Sequence, residues 1–171
     1  FSPQALAEAE AAELQSERAG REPADLRDVA FVTIDPPASL DLDQAYHATR
    51  VPGGFEVRYA IADPAAFVRP GGALDLETRA RGVTMYAPDR NTPLHPRSLS
   101  EAAASLLPGQ DRPAVVWTIR LDADGRVTSK ELARAMVRSR AKLSYRDAQA
   151  AIDDGTGPES LDLLRHIGRA R

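Results

Sequence analysis

Thr33-Ile34-Asp35-Pro36-Pro37-Ala38-Ser39-Leu40-Asp41-Leu42-Asp43-Gln44-Ala45 places three aspartates within nine residues, with no lysine, arginine or histidine among them. If folding gathers these carboxylates, their repulsion opposes the compact state unless a positive charge joins them. A divalent cation meets that need, and all-oxygen donors suit magnesium or manganese better than zinc. In an extended run Asp41 and Asp43 point to the same side, because the strand period is two. Asp35 arrives separately, across Pro36-Pro37, which stiffens the connection toward an extended path. A solvated acidic loop is the plain alternative, since aspartate beside proline is ordinary turn chemistry. An EF-hand is excluded: counted from Asp41, Tyr46 and Pro52 stand where that loop needs glycine and glutamate.

Before this stretch, Val29 to Ile34 reads as a strand and the residues up to Asp28 as charged linker. Ser2-Pro3 opens a helix expected to run to about Arg18 and stop at Gly20, with a thin apolar stripe of Leu6 and Leu14. After it, Ala45–Val51 and Phe55–Ala62 form a hairpin across Pro52-Gly53-Gly54, with Phe55, Val57, Tyr59 and Ile61 as its buried face. Asp75–Arg81 is a short helix, Val83–Tyr86 is extended, and the proline-rich segment Ala87–Arg97 is an irregular loop. Ser98-Leu99-Ser100-Glu101 has capping-box spacing and opens a brief helix to about Leu106. Ala114–Leu121 and the run up to Lys142 make a second hairpin across Asp122–Gly125. Ser144 caps a helix that ends before Gly155, and Pro158 begins a last one with Leu161, Leu164 and Ile167 on one face.

The chain has 171 residues, enough for one domain with a real core or for part of a larger one. It lacks cysteine, which removes disulfides, thiolate metal sites and thiol nucleophiles, and agrees with a cytoplasmic location. No stretch approaches the roughly 20 apolar residues of a membrane span, so no membrane partner is expected. The net charge of −3 argues against holding nucleic acid by a bulk positive field. The charge is uneven: residues 1–125 balance at −7 and residues 126–171 at +4. Within the basic part, Lys130, Leu132, Arg134, Met136, Arg138, Arg140 and Lys142 alternate, and on a strand they share a face. That face is either the solvent side of a hairpin or a surface that tracks phosphates.

Several stretches, in order, resemble the RNB catalytic domain shared by ribonuclease II, ribonuclease R and their eukaryotic exosome relative. They are TIDPPASLDLDQA, YAIADPAAFVRPGGALD, RGVTMYAPDRNTPLHPRSLSEAAASL, DRPAVVWTIRLDADG and SRAKLSYRDA, covering roughly residues 27–150. The resemblance implies an α+β fold, a mixed and largely antiparallel sheet with hairpins and short packed helices. Residues 1–26 would be an N-terminal helix and linker, and residues 27–171 the N-terminal portion of an incomplete RNB domain. It further implies a magnesium-dependent exoribonuclease, with manganese as a substitute, that degrades single-stranded RNA processively from the 3′ end to nucleoside 5′-monophosphates.

By the same resemblance Asp35, Asp41 and Asp43 hold metal, and Asp41 and Asp43 are catalytic, Asp43 most directly. Gln44 departs from the family pattern, which has an aspartate there; its carbonyl oxygen is a neutral candidate ligand. That departure keeps open a catalytically weakened RNA-binding module. Tyr86 resembles a tyrosine that stacks on bound RNA, Tyr145 one that reads the 2′-hydroxyl, and Arg138, Arg140 and Lys142 belong to the candidate phosphate surface. His47, His95 and His166 match no family ligand and read as structural or surface residues; His95 and Ala104 stand where relatives usually carry leucine and cysteine. The partners implied are single-stranded RNA, the rest of the RNB domain and flanking OB-fold domains, without which this piece is not expected to degrade RNA.

Overall fold

The computed structural model describes residues 1–11 and 23–170. Its centre is a closed barrel in the order β1 (Ala24–Ile34), β2 (Gln44–Val51), β3 (Gly54–Ala62), β6 (Asp111–Asp122) and β7 (Val127–Leu143). All neighbours are antiparallel except β7 and β1, which pair in parallel and close the ring. Closure leaves no sheet edge open, which removes the hazard of unpaired backbone. The fold is therefore α+β with a largely antiparallel sheet, as expected, though closure itself is not visible in the local pattern.

Both hairpins form where the sequence places them. In the β2–β3 turn Pro52 fixes one central residue and Gly53 takes a positive φ of 84° at the other. Gly54 follows because a Cβ there would lie 1.9 Å from the Leu121 carbonyl oxygen of β6. Residues 24–28, expected as linker, are strand: Ala24, Asp25 and Leu26 pair with Ala135, Met136 and Val137. The charges of Asp25 and Arg27 stay outside, joined to each other at 2.6 Å and, through Arg27, to Asp111 at 3.3 Å.

The barrel interior packs small aliphatic side chains around one aromatic: Phe31 with Leu42, Ala45, Ala60, Leu106, Ala114, Val116, Ala135 and Val137. On β3 it is therefore Ala60 and Ala62 that face inward, against the expected face. Phe55 and Val57 point the other way and pack under α4 (Glu159–Ala170) with Leu163. Glu56 shares the inward parity and is buried, held by Arg58 at 2.9 Å and Arg120 at 3.2 Å. On α4 the buried apolar positions are Leu161 and Leu163, with Leu164 and Ile167 only half-buried.

A second cluster joins α1 (Pro3–Glu10) to α2 (Ala73–Arg81). Ser2 caps α1 by accepting from the Ala5 amide at 3.2 Å, and the contact face is Ala5 and Ala9 rather than Leu6, which stays exposed. The expected continuation to Arg18, with Leu14, lies outside the described residues. Glu8 then caps α2 in place of the side chain Gly72 lacks, accepting from the Ala73 and Leu74 amides at 2.9 Å each. Those amides hold the Glu8 carboxyl below its usual range.

The expected irregular loop contains a small hairpin, β4 (Met85–Tyr86) with β5 (Asn91–Thr92). Beyond it the expected capping box at Ser98 is not made. The Pro96 carbonyl already accepts from Leu99 and Ser100, so Ser98 is helical and the turn opens earlier. Residues Leu99–Ala103 form a π-type turn, closed by the Ala104 amide on the Leu99 carbonyl at 2.9 Å. Ser144 caps α3 (Tyr145–Asp154) as expected, accepting from Asp147 at 3.1 Å, and Gly155 ends it at φ 64°. Among the described residues no helix is long and apolar enough to cross a membrane.

Candidate active site

The segment joining β1 to β2 is pinned along its length. The Asp35 amide donates to the Leu143 carbonyl at 3.0 Å as β1 ends, and Ser39 donates to Pro36 at 3.0 Å to close a turn around the prolines. Lys142 Nζ donates to the carbonyls of Pro37 and Ser39 at 2.7 and 2.5 Å. Ser105 Oγ accepts from the Leu42 amide at 3.0 Å and donates to the Leu40 carbonyl at 2.6 Å. Leu106 donates to the Leu42 carbonyl at 2.8 Å, and Ala62 donates to that of Asp43 at 2.8 Å.

Leu42 is the anchor, with 0% of its surface exposed inside the barrel. With that side chain inward, its neighbours Asp41 and Asp43 are both turned outward. Both are exposed, and both line a cavity of about 320 Å³. The same cavity is lined by Tyr86 and Asn91 of the β4–β5 hairpin and by His95 and Glu101. Tyr86 is 77% exposed, an aromatic face with little of its own chain to cover it. Tyr145 begins α3 two residues after Leu143, the residue that holds Asp35, and is also exposed.

Asp35 is half-buried, and its carboxyl is pushed up by burial first, then by Asp43 and Asp41, with Lys142 opposing. Tyr59 feels the same field: burial, then Asp43 and Asp35, hold its phenol above its usual range. Its hydroxyl donates to the Gln44 amide oxygen. The carboxylates thus act on each other through space, and the donor set is all oxygen. That is the chemistry a hard divalent cation requires, and Asp35, Asp41 and Asp43 would hold it. Among the described residues no three acidic or histidine side chains already close on one point.

The basic stripe is largely used within the chain. Leu26 pairs with Val137 but Phe31 with Ser139, so β1 leaves the ladder between them. Arg140 donates to the Arg27 carbonyl freed there at 2.9 Å, and His47 Nδ1 lies 3.2 Å from that of Ala30. A carbonyl only accepts, so Nδ1 carries the proton. Arg134 pairs with buried Asp63 at 3.0 Å and Arg138 with Asp111 at 2.6 Å. Arg138, Arg140 and Lys142 are therefore tied to the protein's own acceptors rather than left as a bare phosphate track. Tyr59 and Ser105 are the site residues that sequence reasoning missed; both come from segments distant in the chain and show no local signal.

The RNB domain family profile matches residues 24–170. The chain belongs to the RNB-domain family. Among curated relatives, Exoribonuclease 2 of Vibrio vulnificus is 36% identical over 134 residues, covering 77% of this chain and 20% of that protein. "Inactive exonuclease DIS3L2" of Arabidopsis thaliana is 43% identical over 132 residues, covering 75% of this chain and 12% of its own length. Among solved structures, Mycoplasma genitalium RNase R in complex with ribose-methylated single-stranded RNA superposes with a TM-score of 0.81 at 26% identity. That match covers 98% of this chain and 31% of the other. This RNB chain spans about a fifth of the length of Exoribonuclease 2.

Proposed function

We propose that this chain is the aspartate-bearing part of an exoribonuclease that hydrolyses single-stranded RNA from its 3′ end to nucleoside 5′-monophosphates. The reading rests on one observation: the Leu42-anchored loop turns Asp41 and Asp43 into a cavity that Tyr86 also lines. A carboxylate pair sharing a cavity with an exposed aromatic ring fits a phosphodiester beside a stacked base. Magnesium, or manganese in its place, would supply charge neutralisation at the phosphate and a more acidic water. Asp43 would accept a hydrogen bond from the attacking water, Asp41 and Asp35 would share the cation, and Tyr86 would hold the base without reading it. Tyr145 would contact the ribose near the same end. The rest of the RNB domain and OB-fold domains would deliver substrate, in the cytoplasm.

The test is a time course on 5′-labelled single-stranded RNA with the full-length protein, with and without magnesium, beside Asp43→Asn. The expected result is a magnesium-dependent passage from full length to a short core, slowed about 100-fold or more in the variant. A second reading, an RNB scaffold that grips RNA without cutting it, draws on Gln44 in place of an aspartate and on the inactive Arabidopsis relative. RNA retained by both proteins and cut by neither would establish it, and Gln44→Asp should then create activity.

A further inference from the structure

Gln44 opens β2 with its side chain exposed on the outer face of the barrel. Tyr59 lies diagonally across the ladder on the same face, since Gln44 pairs with Ile61 and Tyr46 with Tyr59. The phenol is the donor in this pair and the amide oxygen the acceptor. An amide so fixed keeps two donors on its NH2 group, beside one lone pair on the oxygen. No described residue accepts from them.

What surrounds those donors is short of positive or donating groups. Asp35, Asp41 and Asp43 offer only acceptors when ionised, and two of the three Lys142 donors are used on backbone carbonyls. A non-bridging phosphate oxygen is itself acceptor-only, so it needs a donor, which the three aspartates do not provide. A fourth carboxylate at position 44 would repel it. We propose that Tyr59 is a positioning residue that orients the Gln44 amide so that its NH2 group binds a backbone phosphate of RNA, making Gln44 a substrate contact and not a metal ligand. This rests on the RNA-degrading reading of the site. It assigns the cation to the aspartates alone.

The test uses the full-length protein in two separate titrations. One measures binding of a fluorescent single-stranded RNA with a phosphorothioate 3′ end by anisotropy at saturating Mg2+, where the charge of the aspartates is offset in every variant. The other measures Mn2+ binding by calorimetry without RNA. Gln44→Ala is expected to weaken RNA about tenfold while leaving the Mn2+ dissociation constant within about twofold. Gln44→Glu, which replaces the NH2 by a charged oxygen, should weaken RNA further. Tyr59→Phe keeps the ring and removes only the hydroxyl; it should weaken RNA about threefold with an unchanged unfolding midpoint. Gln44→Ala that matches the wild type in RNA affinity overturns the proposal, as does one that loses Mn2+ instead. Failure of the underlying reading shows separately, as a wild type that binds no RNA, or whose Mn2+ binding is indifferent to Asp43→Asn.

Discussion

Ser105 is where a single hydroxyl decides the geometry of the acidic loop. It is buried, accepts from Leu42 and donates to Leu40, so both backbone groups depend on it. Ser105→Ala strands a buried amide and a carbonyl, which should cost about 1–3 kcal/mol in urea unfolding followed at Trp117, the single tryptophan. His47 gives a prediction in pH. Burial, ahead of the charge of Arg58, holds its imidazole below the usual value of about 6.5. With the folded pKa below the unfolded one, stability is unaffected above about pH 6.5 and falls as pH drops from there toward the folded value. His47→Gln should flatten that acid slope in unfolding midpoints measured between about pH 7 and 5; an unchanged slope would sink the assignment. The aspartates and Gln44 were legible in the sequence because their spacing is local. Ser105 and Tyr59 were not, since their roles come only from what the barrel brings beside the loop.

The β4–β5 hairpin has two residues in each strand, yet it supplies the aromatic wall of the cavity. Because Tyr86 is exposed, its removal should leave the fold alone and act on the ligand. Tyr86→Ala should weaken single-stranded RNA by about 1–3 kcal/mol, equally for different base compositions, with little change in thermal midpoint. A base-dependent loss would mean that the hairpin reads edges, not faces. At this scale turns and hairpins were legible because proline and glycine announce them. The faces of β3 were not. Phe55 and Val57 look like core, but the narrow barrel interior takes Ala60 and Ala62, and the aromatic goes under α4. Glu56 inside the barrel also reads as surface in sequence; only Arg58 and Arg120, arriving from two strands, make its burial tolerable. The missed π-type turn has the same origin, since Pro96 already accepts from Leu99 and Ser100 and so makes Ser98 helical instead of a cap.

Across the whole molecule the distribution of charge sets a sign that can be measured. Closure of the barrel by β1 on β7 brings the basic strand beside the acidic loop, and Lys142 and Arg140 bind the backbone of that loop and of β1. The pairing of two segments about a hundred residues apart in sequence could not be read from either one alone. Its consequence is that Arg134, Arg138, Arg140 and Lys142 are held by acceptors within the fold, beside exposed aspartates on a chain of net charge −3. A protein that grips RNA by lysines and arginines loses affinity as cations are added, because bound RNA has already released its counterions. Here the opposite is expected in one limited range. With Asp43→Asn and wild type both assayed at constant ionic strength, replacing K+ by Mg2+ should tighten single-stranded RNA on the wild type. A phosphate approaching Asp41 and Asp43 is repelled until a cation lies between them. The variant, with one carboxylate fewer, should bind better than wild type without Mg2+ and gain less when it is added. Cleavage must be suppressed for the measurement, and a phosphorothioate 3′ end read by anisotropy does that. If Mg2+ weakens both proteins equally, the ion acts only as a counterion of the RNA, and the aspartates are not holding it at the phosphate.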